Sequence, residues 1–144
     1  MGEAHAHHGI TVLPDGNILT GHASEPKGLV LTPDGRLERE FEVPAKGTHG
    51  LAWSHEEGRL VLWVTDIVEP QVVKTDLEGR LLARLGREDF PLGEGDGFCP
   101  TATSIDPATG EVWVADGYGS STVHCFGPDL KHRRMRLVRV GGPV

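Results

Sequence analysis

With 144 residues and a formal net charge of −7, the chain has room for one packed domain but lacks the basic face that nucleic acid requires. An acidic molecule more naturally tolerates bound cations. Twenty glycines and ten prolines, with few apolar periodicities of helical length, describe a turn-rich all-β protein rather than a disordered one. Residues 1–20 hold no basic segment leading into an apolar core, and no run approaches the ~20 apolar residues of a membrane span. The expectation is a cytoplasmic protein with no membrane partner. Cys99 and Cys125 allow at most one disulfide and force none. Met1-Gly2 lacks the Ser or Thr at position 6 that myristoylation needs.

Internal repeats organise the chain. His8-Gly9-Ile10 recurs as His49-Gly50-Leu51, Gly35-Arg36-Leu37 as Gly79-Arg80-Leu81, and Trp63-Val64-Thr65-Asp66 as Trp113-Val114-Ala115-Asp116. Three units result, at about 6–41, 48–85 and 100–137. Each opens with an inner strand and a Gly turn (Asp15-Gly16, Glu57-Gly58, Thr109-Gly110), followed by further short strands. Strands this short, punctuated by Asp-Gly and Pro-Gly with no helical period between them, make meandering antiparallel sheets, so each unit is a blade of a β-propeller. The stretch from Gly86 to Gly97, rich in Gly, Pro and acid, is the longest connection and a candidate lid or rim. The basic tail from Lys131 onward reads as a fourth strand with a frayed end.

Three blades cannot close a ring, because closed propellers need four to eight. A twofold homodimer would make a six-bladed ring; the rival explanation is a fragment of a longer chain.

Several of these segments together carry a resemblance: Thr48-His49-Gly50-Leu51, Leu62-Trp63-Val64-Thr65-Asp66, Gln71-Val72-Val73-Lys74-Thr75-Asp76, Phe98-Cys99-Pro100-Thr101 and Val114 to Ser121 with Asp116-Gly117-Tyr118 at its centre. The chain resembles the peptidyl-α-hydroxyglycine α-amidating lyases, six-bladed NHL-type propellers, over most of its length but only over the first half of their domain. The resemblance implies a zinc held in the central channel by three histidines, a calcium bound partly through backbone carbonyls, and a tyrosine and an arginine acting on substrate. Carried over by position, His49 is similar to one zinc ligand, Ile10 and Leu51 to the carbonyl contributors to calcium, and Tyr118 to the catalytic tyrosine. The arginine position falls near Ala23, beside His22. The remaining histidines and the calcium aspartate belong to blades this chain does not contain, and the cysteine that would partner one near Cys99 is replaced by Gly119.

Twofold symmetry would supply what is missing. His8 occupies in the first blade the place of a zinc-ligating histidine in the family's fourth, so a dimer would point two copies of His8 and of His49 into one channel. Imidazoles converging on a propeller axis suit zinc or another borderline divalent ion, and an ion with an open position lowers the pKa of bound water toward ~7. With no arginine to meet a carboxylate, the expected activity is hydrolysis of a small ester-type substrate, a phosphoester or lactone, with metal hydroxide as nucleophile and Tyr118 assisting. Amidating-lyase-like chemistry is the first alternative, and a non-catalytic binding scaffold or gene fragment the second. His22 is a candidate for orienting substrate. His5 and His7 form an N-terminal cluster with His8. Asp66 and Asp116 read as turn-formers, Trp63 and Trp113 as blade packing, and His55, His124 and His132 as ordinary surface or strand residues.

Overall fold

The computed structural model describes residues 8–137, so His5 and His7 lie outside it. The chain forms three four-stranded sheets in sequence order. The first holds β1 (Ile10–Val12), β2 (Ile18–Gly21), β3 (Lys27–Leu31) and β4 (Leu37–Glu42). The second holds β5 (Thr48–Glu56), β6 (Arg59–Asp66), β7 (Gln71–Thr75) and β8 (Leu81–Leu85), and the third β9 (Ala102–Ile105), β10 (Val112–Asp116), β11 (Thr122–Phe126) and β12 (His132–Leu137). Every pairing joins neighbours in sequence and is antiparallel. These are propeller blades. No described helix is long and apolar enough to cross a membrane.

The local chemistry explains the meander. Gly16, Gly58 and Gly110 close the first turn of each blade with φ of 89°, 76° and 72°, a region glycine enters without steric cost. Between β5 and β6 the pairing of Glu56 with Arg59 leaves a two-residue loop. Glu57 and Gly58 both have positive φ there, the type I′ geometry that matches the twist of a hairpin.

The core sits between blades rather than within them. Leu13, Leu19 and Val30 of the first blade pack with Leu62 of the second, and Trp63, Val72 and Leu85 of the second pack with Val112, Val114 and Phe126 of the third. A blade therefore has two faces to bury, one against each neighbour. The expectation of a lid between the second and third units is corrected here: Phe90, at the end of a 3₁₀ turn (Arg87–Asp89), is buried in that second cluster. Arg87 pins the rest of the connection, its Nη2 donating to the carbonyls of Gly93 at 2.8 Å and Asp96 at 3.1 Å. An aromatic anchor outweighs the Gly and acid content of the flanking residues.

Candidate functional site

The histidines that open the repeat make the same contact in successive blades. His49, second in β5, donates from Nδ1 to the carbonyl of Thr101, the residue before β9, at 2.8 Å. His8, just before β1, makes the longer counterpart contact at 3.4 Å to the carbonyl of Thr48. A carbonyl only accepts, so each Nδ1 carries the proton and each Nε2 keeps its lone pair. The glycine after each histidine lets the neighbouring inner strand come this close. A Cβ on Gly9 would stand 2.6 Å from the His49 carbonyl oxygen, and one on Gly50 2.6 Å from that of Thr101. The recurring His-Gly pair is thus a blade-to-blade clamp that leaves an imidazole lone pair at the start of the inner strands of the first two blades. Ile10 and Leu51 follow at matched places on β1 and β5.

Tyr118 lies on the loop between β10 and β11 and is 64% exposed. Its ring meets the His49 imidazole edge to face, with centroids 5.3 Å apart. The loop is held from beneath by Asp116, fully buried, whose carboxylate accepts from the backbone N–H of Cys99 at 2.6 Å and of Ser120 at 2.9 Å. Asp66 does the same one blade earlier, accepting from the N–H groups of Lys46, Gly47 and Val68 at 2.8, 2.9 and 2.9 Å. Both aspartates are turn-formers, as expected, and both also tie their blade to the segment that enters it. Cys99 and Cys125 are free thiols. Burial, with the nearby carboxylates of Asp116 and Asp66, pushes the Cys99 thiol above its ordinary pKa.

His22 is engaged within its own loop. Its Nδ1 accepts from the N–H of Glu25 at 3.0 Å and of Ser24 at 3.2 Å, and its Nε2 lies 3.6 Å from a Glu25 carboxylate oxygen. A cleft of about 610 Å³ opens at the far end of β5 among Trp53, His55, Trp63 and Pro107. None of His8, His22, His49 or Tyr118 borders it.

His124 and His132 are not the ordinary residues the sequence suggested. His124 is completely buried, with Nε2 at 2.6 Å from Thr122 Oγ1 and Nδ1 at 3.0 Å from His132 Nε2. Thr122 contacts Ser120, whose hydroxyl donates to Asp116. The carboxylate end fixes the polarity of the row, because an ionised Asp only accepts: Ser120 donates to Asp116, Thr122 to Ser120, His124 to Thr122, and His132 to His124. Alternation along β11 carries the missed signal. It puts His124 on the face of Thr122 and Phe126, which turns toward the second blade.

The three meandering sheets and their structural neighbours define the class: the chain is a β-propeller chain with three blades. It superposes on streptogramin B lyase with a TM-score of 0.59 at 18% identity, over 92% of this chain and 40% of that one. A protein of unknown function from Bacteroides caccae gives a TM-score of 0.62 at 18% identity, over 92% and 47%. At such identities the likeness is one of fold.

The sequence relatives are narrower. Over 73 residues the chain is 44% identical to peptidylglycine α-amidating monooxygenase of Rattus norvegicus and 42% identical to its counterpart in Mus musculus. Each match covers 48% of this chain, which spans only 7% of the length of either relative. No protein-family profile matches the chain. Neither the relatives nor the site geometry favours the expected ester hydrolase, whereas amidating chemistry is named in the relatives themselves.

Proposed function

We propose that the chain provides channel-facing blades of an amidating-lyase-like enzyme that cleaves the C–N bond of an α-hydroxyglycine compound to an amide and glyoxylate. The observation that carries this reading is the Tyr118 ring against His49 at 5.3 Å. The position that resembles the catalytic tyrosine and the position that resembles a zinc ligand meet, although they come from different blades. The relatives add weight, since the proteins that match are named for peptide amidation.

A zinc-type ion fits the donors present. The His49 Nε2 keeps its lone pair because Nδ1–H is engaged, a carbonyl-oriented imidazole of the kind metal sites use. The His8 Nε2 is buried and, among the described residues, without a hydrogen-bond partner. His8 and His49 would hold the ion, and when bound it supplies Lewis acidity at a substrate oxygen. Among the described residues no cluster of three or more His, Cys, Asp or Glu side chains is gathered, so the two histidines are a partial set. Calcium is carried no further: Ile10 and Leu51 offer carbonyls, but the buried carboxylates of Asp66 and Asp116 are occupied by backbone N–H groups.

In the reaction the substrate hydroxyl loses a proton as its carbon becomes a carbonyl, and the amide nitrogen gains one as the C–N bond breaks. In this reading Tyr118 moves that proton. Its phenol stands beside His49 on an exposed loop whose backbone Asp116 braces at Ser120, so positioning and proton transfer act together. The test is glyoxylate release from α-hydroxyhippurate, with zinc added. Wild type should release it, and Tyr118→Phe should be slower by about 10²–10⁴-fold, the usual contribution of a positioned acid or base. No release by the zinc-loaded wild type, or equal release by the variant, would remove the reading.

A further inference from the structure

Among the described residues the first and third blades leave one face each uncovered, and the two faces complement one another. Strand register places Ile10, Val12, Ile18, Leu29, Leu31 and Leu37 on the face of the first blade that turns away from the second. Ile10 and Val12 are 68% and 60% exposed there. Their repeat equivalents, Leu51 and Trp53, pack against the first blade at the interior junction. At the other end Trp113 lies on the outward face of the third blade beside Ala115 and Val123, half-buried, with Arg134 stacked 4.9 Å from its ring centre. Its equivalent Trp63 is only 2% exposed, because the third blade covers it. Each end thus presents one half of the junction already made twice inside the chain. Charge agrees at the outer strands: Glu42 on the first face and Arg136 on the other are of opposite sign, whereas Glu40 is paired with Lys27 and Arg134 with Glu111 inside their own blades.

We propose that the occupant of both faces is a second copy of this chain, the first blade of each copy packing on the third blade of the other to close a six-bladed ring. The area suffices. A face of four strands at ~4.8 Å and about five residues at ~3.4 Å measures roughly 19 by 17 Å. The four faces of a dimer then cover about 1,300 Å², within the range of roughly 1,200–2,000 Å² for specific interfaces. An isolated half-ring would leave an apolar sheet face in water, which soluble proteins avoid. This inference does not depend on the lyase reading, and its test uses no activity.

The test is native mass spectrometry and sedimentation velocity on the full chain and on two variants, Val12→Glu and Ser104→Glu. One changes the first face and the other the third, and both residues are exposed in the single chain. Wild type should be a dimer at twice the 15.5 kDa chain mass. Each variant alone should be monomeric with an unchanged strand signal in circular dichroism, because every dimer it forms has both junctions damaged. An equimolar mixture should recover heterodimer, since one of its two junctions carries neither change. A monomeric wild type overturns the proposal and points to blades supplied by another polypeptide. A Ser104→Glu dimer also overturns it, by showing that the first faces pair with each other. Loss of strand signal in one variant moves the decision to the other and to the wild-type mass.

Discussion

At the scale of single residues, the row from His132 through His124, Thr122 and Ser120 to Asp116 makes a claim about pH. Burial lowers the pKa of both imidazoles, and the neighbouring His132 lowers that of His124 further, against an opposing pull from Asp116. Both histidines are therefore held neutral in the folded chain. The unfolded chain takes up protons as pH falls through the ordinary value near 6.5, while the folded one takes them up only at lower pH. The stability they contribute is complete above about pH 6.5 and is lost as pH drops below it. Denaturant midpoints should fall between about pH 6.5 and 5 in wild type. His124→Gln, which keeps a donor toward Thr122, should flatten that fall, and an unchanged slope in the variant would assign the pH dependence elsewhere. The row is also the clearest example of what sequence reading missed. A histidine in a strand declares neither its face nor its partner, and both depend on pairing across β10, β11 and β12 that residue types alone do not specify.

At the scale of elements, the strands were legible because the turns are chemically specific and the repeats restate them. Gly16, Gly58 and Gly110 stand where a positive φ is needed, and Trp63 and Trp113 mark the same strand twice. The role of the connection between the second and third blades was not legible, because its fate turns on Phe90 finding a cavity between two sheets. Of the candidate site, the resemblance alone pointed to His49 and Tyr118, whereas the clamp to Thr101 that orients His49 follows only once the inner strands lie side by side. One turn departs from its own chemistry. Glu57 holds φ 49° without glycine's freedom and is exposed, in a type I′ loop where Asn-Gly is the favoured pair. Glu57→Asn should raise the urea midpoint by the equivalent of roughly 0.5–1 kcal/mol, since asparagine tolerates the left-handed region better. A lower midpoint would mean that the glutamate makes a contact outweighing its backbone cost.

At the scale of the whole molecule, the core clusters of the described residues join neighbouring blades, so stability accumulates along the stack and the end blades are its weak points. Repeat proteins ordinarily finish such ends with polar faces. The outward face of the first blade carries Ile10, Val12 and Leu37 exposed among the described residues, so its stability depends on what covers them. If two copies cover each other, unfolding is coupled to dissociation and the melting temperature depends on protein concentration. A dimer of 288 residues, twice the chain length, should unfold with an enthalpy of about 200 kcal/mol at ~0.7 kcal/mol per residue. The mass-action shift is then about 2–3 °C per tenfold rise in concentration. Calorimetry over two decades of concentration should show an upward shift of about 5 °C for the wild type and none for Val12→Glu. Aggregation through an uncovered apolar face predicts the opposite sign, with apparent melting falling as concentration rises. A constant melting temperature would mean that the half-ring is stable by itself, and that its open faces await a partner other than its own copy.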